Sequence, residues 1–212
     1  MVHFKICGIT SLEDADLSIA AGASAIGLNL VPSSPRFIDV GLAKRLTQHV
    51  GTRALVVLVV ADLSFQEMLA LRQATGAKCL QLHGGESNDV LAGLLPHAYK
   101  AVRVGSPADV ESARRFSGEH LLVDAKVPGK LGGTGHTVDF SLVAPLARGR
   151  KLTLAGGLHP GNVADAIAKV RPFCVDVASG VEVEGTPRRK DKAKLRAFGA
   201  AVRAQKMLEP AS

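Results

Sequence analysis

Two side chains that can exchange protons close apolar runs in this sequence. Cys7 ends the run 3–7, and Asp124 ends the run 120–124. A thiolate is a usable base, and a carboxyl group in apolar surroundings is a usable acid, so the pair suits general acid–base chemistry. Lys5 lies two residues before Cys7, on the same face of a strand, and its ammonium should lower the pKa of the thiol toward working pH. The plainer alternatives are a small buried hydrophobe for Cys7 and a cap or an ion pair with Lys126 for Asp124.

Three further polar residues accompany this pair. Arg36 lies on a loop stiffened by two prolines, and we predict that its guanidinium faces a carboxylate, the alternative being a solvated charge. His83 follows an apolar run and either holds a loop or borders a ligand. Asp176 lies inside an apolar run, and we interpret it as a structural hydrogen-bonding residue rather than a catalytic one.

Glycine-rich loops supply a candidate anion site. Glycine lets backbone N–H groups turn toward a bound anion without a side chain in the way. Each such loop alone is compatible with a simple turn, but three of them follow three successive apolar runs, and together they predict phosphate binding. The residues are Gly132, Gly133, Thr134, Gly135, Gly156, Gly157, Ser179 and Gly180.

Eight strand-like runs alternate with eight amphipathic, helix-like runs. The strand-like runs are apolar on both faces, as a parallel sheet covered by helices requires. Eight such units predict an α/β fold, a (β/α)8 TIM barrel, rather than an open doubly wound sheet, and no Gly-x-Gly-x-x-Gly follows the first run. The predicted strands are 3–7, 24–30, 53–60, 78–82, 98–104, 120–124, 151–155 and 174–178, and the helices 11–21, 39–49, 64–75, 87–95, 107–116, 139–147, 161–170 and 190–206.

The residues suited to chemistry all follow strands, whereas the loops after helices are short and plain. In a barrel, the loops after strands lie on one face, where barrel enzymes keep their active sites. The chain has 212 residues, which fits one barrel domain over 1–208 and a frayed tail over 209–212. The sequence therefore predicts one domain with one site.

Composition limits the class of partner. The formal charge of +7 favours anionic ligands, but basic residues are spread out and not interleaved with aromatics, which disfavours nucleic acid. The one dense basic run, 188–190, is predicted to open the last helix. No apolar run approaches the roughly 20 residues of a membrane span, and the N-terminus has no signal-peptide shape, so we expect a cytoplasmic protein without membrane contact. The three cysteines lack metal-ligand spacing, and we expect no disulfide between Cys7 and Cys174.

These features resemble the phosphoribosylanthranilate isomerase family of tryptophan biosynthesis. The resemblance runs along nearly the whole chain, in order and at the expected spacing. One departure is the segment 28–30, Leu-Asn-Leu, where an aromatic residue is expected. The matching stretches are 5–10 (KICGIT), 81–84 (QLHG), 122–124 (LVD), 132–135 (GGTG), 154–158 (LAGGL) and 175–182 (VDVASGVE).

The resemblance implies a role for each candidate residue. Cys7 would be the general base and Asp124 the general acid of an Amadori rearrangement, and Arg36 would hold the anthranilate carboxylate. The glycine loops would hold the phosphate, with Lys5 and His83 also expected beside the substrate. The iminium nitrogen of the intermediate is the electron sink, so the resemblance implies neither a cofactor nor a metal.

Two other functions stay open from the sequence. A related barrel could act on another sugar phosphate as an epimerase or synthase, and a degenerate relative could bind a phosphorylated ligand without catalysis. The set of Cys7, Arg36 and Asp124 argues against the first, and the intact acid–base pair argues against the second. The sequence does not fix the oligomeric state.

Overall fold

Eight parallel strands form a closed barrel in which each strand is hydrogen-bonded to its neighbours in chain order. The structure, a computed structural model, describes residues 2–124 and 140–205. The strands are β1 (His3–Cys7), β2 (Ala25–Asn29), β3 (Leu55–Val60), β4 (Cys79–Leu82), β5 (Ala98–Arg103), β6 (His120–Asp124), β7 (Lys151–Ala155) and β8 (Cys174–Val177). The helices are α1 (Leu12–Ala20), α2 (Val40–Val50), α3 (Phe65–Thr75), α4 (Asn88–Leu94), α5 (Pro107–Arg114), α6 (Phe140–Ala147), α7 (Val163–Val170) and α8 (Lys192–Ala204).

The predicted (β/α)8 barrel is confirmed, with most element boundaries within two residues of those expected. Side-chain caps set the starts of most helices: Ser11, Asp39, Ser64, Ser87, Ser106 and Asp191 each accept a hydrogen bond from the first turn of the helix that follows. Such caps satisfy N–H groups that have no partner within the helix.

The core has two layers. The larger layer fills the space between the barrel and the helices and consists mainly of aliphatic side chains. The smaller layer lies inside the barrel, where Ala25, Val57 and Leu122 pack together with Tyr99. Polar side chains also lie inside the barrel, and they are buried: Lys5, Gln81, Thr153 and Asp176. The barrel interior is therefore partly polar.

A small hairpin between β8 and α8 was missed from the sequence. A 3-10 turn over Ser179–Val181 leads into β9 (Glu182–Val183), which pairs antiparallel with β10 (Thr186–Lys190). The prediction that the basic run 188–190 opens the last helix is wrong. The carboxylate of Asp191 accepts hydrogen bonds from the N–H groups of Ala193 and Lys194, so the helix begins after this cap.

Some predictions lie outside the described residues. These are Gly132, Gly133, Thr134 and Gly135, the lysine at 126, and the tail 209–212. Within residues 2–124 and 140–205, no helix is long and apolar enough to cross a membrane. In the same residues, no three His, Cys, Asp or Glu side chains are grouped as metal ligands would be.

Candidate active site

A cavity of about 470 Å³ opens at the carboxyl ends of the strands. It collects residues from the ends of β1, β4, β6, β7 and β8 and from the loop after β2, which only the closed barrel brings together. This is the face where barrel enzymes hold their active sites. Its lining includes the predicted residues Cys7, Arg36, His83, Asp124, Gly156, Gly157 and Ser179.

Cys7 ends β1 on the wall of this cavity and is partly exposed. Burial raises the pKa of the Cys7 thiol, an effect that exceeds the lowering by the ammonium groups of Lys5 and Lys190. Lys5 lowers this pKa, as expected, but the net shift is upward and not toward neutrality. The reason is that desolvation disfavours the thiolate and the nearby carboxylate of Asp176 opposes Lys5.

Lys5 lies inside the barrel beneath the cavity and is only 2% exposed. Its Nζ donates to Asp176 Oδ2 at 2.5 Å and to Gln81 Oε1 at 3.0 Å. The phenol of Tyr99 donates to the same Gln81 oxygen at 3.0 Å. Lys5 is thus held by the protein and is not among the residues that line the cavity, and its contact with substrate stays a prediction.

Asp176 takes part in more than the ion pair with Lys5. Its ion pair with Lys5 agrees with the structural interpretation, but the residue also lines the cavity. Its Oδ1 atom is buried and has no hydrogen-bond partner among the described residues. The sequence offered one signal that Asp176 reaches the cavity. It lies inside an apolar strand, and that strand is the neighbour of the strand that carries Cys7.

Arg36 is held by a carboxylate that the sequence interpretation overlooked. Its Nε and Nη2 atoms donate to the two carboxylate oxygens of Glu182, each at 2.6 Å, which is a bidentate pair. Glu182 is buried, and it begins the unpredicted strand β9. One edge of the guanidinium, formed by Nε and Nη2, is therefore fixed by the protein, while Arg36 itself lines the cavity.

Gly8 explains how Arg36 reaches this position. Its φ angle is +74°, a backbone conformation that glycine adopts without strain. A Cβ atom at Gly8 would lie 2.2 Å from Arg36 Cδ, so the arginine side chain crosses directly over this residue. The glycine after Cys7 is therefore required for the arginine to lie beside the thiol.

His83 and Asp124 form the opposite side of the cavity. The His83 Nδ1 atom lies 2.9 Å from the amide nitrogen of Gln81, and burial lowers the pKa of the imidazole, with Asp124 raising it in part. Asp124 ends β6 beside Arg103 and Ala155 and is partly buried. Between Cys7 on β1 and Asp124 on β6 stand β7 and β8, so the predicted base and acid approach the cavity from different sides.

The loops after β7 and β8 meet at Gly180. A Cβ atom there would lie 2.0 Å from the carbonyl oxygen of Leu158, which leaves no room for a side chain. Gly156 and Gly157 both have positive φ, and both line the cavity together with Ser179. Gly180 does not line the cavity, and it acts by bringing the two loops together.

A thiol and a carboxyl group facing one cavity at the carboxyl ends of parallel strands define this chain as a (β/α)8-barrel enzyme. The sequence model of the family described as N-(5'phosphoribosyl)anthranilate (PRA) isomerase matches residues 4–201. The chain therefore belongs to the N-(5'-phosphoribosyl)anthranilate isomerase family, in agreement with the resemblance found in its motifs.

Relatives of the same name match nearly end to end. The N-(5'-phosphoribosyl)anthranilate isomerase of Myxococcus xanthus is 41% identical over 212 residues, covering 98% of this chain and 97% of the relative. The enzyme of the same name from Thermotoga maritima is 38% identical over 201 residues, covering 93% and 97% of the two chains.

Solved structures give the same result. The crystal structure of phosphoribosyl anthranilate isomerase from Thermotoga maritima superposes with a TM-score of 0.86 at 38% identity, covering 98% of this chain and 100% of that one. A structure of the isomerase in complex with reduced 1-(o-carboxyphenylamino)-1-deoxyribulose 5-phosphate has a TM-score of 0.84 at 35% identity, covering 96% and 100%. A thiamine phosphate pyrophosphorylase from Pyrococcus furiosus, at 14% identity and a TM-score of 0.67, shares the fold alone.

Proposed function

We propose that this chain isomerises N-(5-phosphoribosyl)anthranilate to 1-(2-carboxyphenylamino)-1-deoxyribulose 5-phosphate, an Amadori rearrangement. The observation that carries the proposal is that Cys7 and Asp124 line one cavity together with Arg36 and two glycine loops. Membership of the isomerase family supports the choice of substrate.

In the proposed reaction, Asp124 protonates the ring oxygen of the ribose. The bond between that oxygen and C1 breaks, and the nitrogen lone pair forms the iminium of a Schiff base. A carboxyl group suits this step because it transfers a proton over hydrogen-bond distance to a developing alkoxide. The position of Asp124 at the end of β6, on the cavity wall, supports this role.

The Cys7 thiolate then removes the proton from C2 of the sugar. The electron pair of that C–H bond moves into the C1–C2 bond, and the iminium nitrogen accepts the displaced pair, which gives an enolamine. Tautomerisation to the ketone adds a proton at C1 and removes one from the C2 hydroxyl. Exchange with water returns Cys7 and Asp124 to their starting protonation states, so no net proton is consumed.

The two charged ends of the substrate have separate places in this proposal. Backbone N–H groups of the loops after β7 and β8 hold the phosphate, as in many barrels of this type. The guanidinium of Arg36 faces the anthranilate carboxylate through Nη1, which makes no hydrogen bond to any described residue. The sugar then lies between Cys7 and Asp124.

The direct experiment follows conversion of N-(5-phosphoribosyl)anthranilate by the purified protein, with growth of a tryptophan auxotroph lacking this step as a second measurement. We expect the protein to convert this substrate and to restore growth of the auxotroph. Turnover of another sugar phosphate alone would make the chain an epimerase or synthase instead. Binding of the reduced product analogue without turnover would make it a binding protein. The cytoplasmic location stays a prediction, which cell fractionation tests.

Arg36→Ala should raise KM by about ten- to a hundredfold with a smaller effect on kcat. A charge-assisted hydrogen bond contributes about 1.5–3 kcal/mol, and a carboxylate clamp acts in ground and transition states alike. Glu182→Gln should raise KM less, because it loosens the guanidinium without removing it. Steady-state kinetics measure both. An unchanged KM with a large fall in kcat for Arg36→Ala would exclude the clamp.

Gly180→Ala should lower both thermal stability and affinity for the reduced product analogue. The added methyl group meets the Leu158 carbonyl, so the two loops must separate, at a cost of about 1–3 kcal/mol. Gly149→Ala is the matched control, since no atom lies within 4 Å of a Cβ there. Thermal unfolding and calorimetry give the two quantities. A Gly180→Ala protein as stable and as tight-binding as the Gly149→Ala control contradicts the prediction.

A further inference from the structure

Lys190 is a buried lysine that the proposed mechanism does not use. It ends β10, and its side chain is 0% exposed. Its Nζ atom donates to the carbonyl oxygen of Cys7 at 2.7 Å, to the carbonyl oxygen of Ala178 at 3.2 Å and to Glu182 Oε1 at 3.0 Å. Three oxygen acceptors match the three N–H bonds of an ammonium group, so the geometry fits the charged form.

These contacts connect three parts of the active site. The Cys7 carbonyl belongs to the end of β1, Ala178 follows β8, and Glu182 is the residue that holds Arg36. One ammonium group therefore fixes the backbone at the proposed base and, through Glu182, the proposed carboxylate clamp. The hairpin that carries Lys190 therefore contributes to the site, although it lies far from Cys7 and Arg36 along the chain.

The charges around Cys7 are uneven. Lys5 is paired with Asp176 inside the barrel, one cation with one anion. On the other side, Arg36 and Lys190 share the single carboxylate of Glu182.

Two further acidic groups lie near Lys190: Asp191, which caps α8, and Asp14, which belongs to α1. The carboxylate of Asp14 accepts from the backbone N–H of Lys190, at 3.2 Å, and faces its main chain rather than its ammonium. Asp14 interacts with the Lys190 charge through space, but its direct contact is with the backbone and not with the ammonium group. Among the three ion-paired groups Arg36, Lys190 and Glu182, one positive charge is in excess, and it lies in a buried region where electrostatic interactions are strong.

We propose that Lys190 is a positioning residue for the base: its ammonium holds the Cys7 backbone and supplies the positive charge that the Cys7 thiolate balances. The inference rests on the proposed role of Cys7 as base. When the thiolate forms, Arg36, Lys190, Glu182 and Cys7 together become electrically neutral. The ammonium also lowers the pKa of the thiol, against the effect of burial.

The test measures alkylation of Cys7 by iodoacetamide as a function of pH, with the Cys7 peptide quantified by mass spectrometry. Only the thiolate reacts, so the midpoint reports the thiol pKa. Lys190→Met should move the midpoint up by about one pH unit, and alkylation at pH 8 should slow by about tenfold. The acid limb of kcat/KM, which reports the free enzyme, should move up by the same amount.

Two variants separate electrostatics from structure. Lys194→Met is the matched control. Lys194 lies in the same region, and its Nζ atom donates to the Glu182 carbonyl oxygen at 2.8 Å, but it does not contact Cys7. Its midpoint should equal that of the unaltered protein. Glu182→Gln removes the carboxylate that offsets Lys190, so its midpoint should move down, opposite to Lys190→Met.

An unchanged midpoint in folded Lys190→Met overturns the proposal, and so do shifts of the same sign in Lys190→Met and Glu182→Gln. If Lys190→Met does not fold, Glu182→Gln decides: a lower midpoint supports the proposal, and an equal or higher one overturns it. Alkylation needs no substrate. A protein with these midpoint shifts and no isomerase activity would therefore refute the proposed function and leave the inference about the thiol intact.

Discussion

Cys7→Ala should lower kcat by about 10²–10⁴-fold while the protein stays folded, because removal of a general base typically costs that much. The thiol ends β1 at the cavity wall, partly exposed, so its loss leaves no closed void in the core. The thermal midpoint should fall by no more than a few degrees. Steady-state kinetics on the purified variant, with circular dichroism to verify folding, measure both effects.

Cys79→Ala is the matched control for this experiment. Cys79 begins β4 away from the cavity, and burial raises the pKa of its thiol to about 11, so it holds a proton at neutral pH. The variant should keep kcat within about twofold, because Cys79 does not line the cavity. Near-normal kcat in Cys7→Ala would refute the assignment of the base.

Asp124→Asn should lower kcat by at least about 10²-fold and leave the affinity for the reduced product analogue nearly unchanged. Asparagine keeps the size and much of the hydrogen bonding of aspartate but has no proton to transfer. In the proposed function, the analogue is bound through its phosphate and its carboxylate. The residues that hold these two groups lie on other loops. Calorimetry gives the affinity, and single-turnover kinetics give the rate of the chemical step.

His83→Asn tests the alternative acid in case the assignment of Asp124 is wrong. His83 shares the cavity wall with Asp124, and burial lowers the pKa of its imidazole, which disfavours the imidazolium form that would act as a strong acid. Its substitution should therefore reduce kcat less than Asp124→Asn does. If Asp124→Asn instead weakens analogue binding and turns over normally at saturation, the acid is another residue, and His83 is the first candidate.

The double variant Cys7→Ala with Asp124→Asn adds an internal check. Residues that act on one chemical step are not additive, so the double variant should be little slower than the slower single variant. Multiplied effects would mean that the two side chains limit independent steps. Both the chemical step and the analogue affinity should be measured, because only the first should change.

The alternation of apolar and amphipathic runs was sufficient to predict the barrel. Most strands are apolar runs, and most helices carry their own start signal, such as Ser64 with Glu67. The hairpin of β9 and β10 was missed because its sequence, rich in charged residues, has the composition of a loop or helix start. Its short strands are defined by pairing with each other and by the buried side chain of Lys190.

The sequence by itself determined the fold and placed Cys7, Arg36 and Asp124 on the face that holds the cavity, because strand ends in a parallel barrel lie on one face. Only the tertiary structure decided what each charge faces. Glu182 and Lys190 lie far from Arg36 and Cys7 along the chain. The periodicity of apolar residues does not predict such pairs. The pKa of Cys7 was likewise decided by tertiary burial, since desolvation depends on every neighbouring element and exceeds the effect of Lys5, two residues away in the sequence.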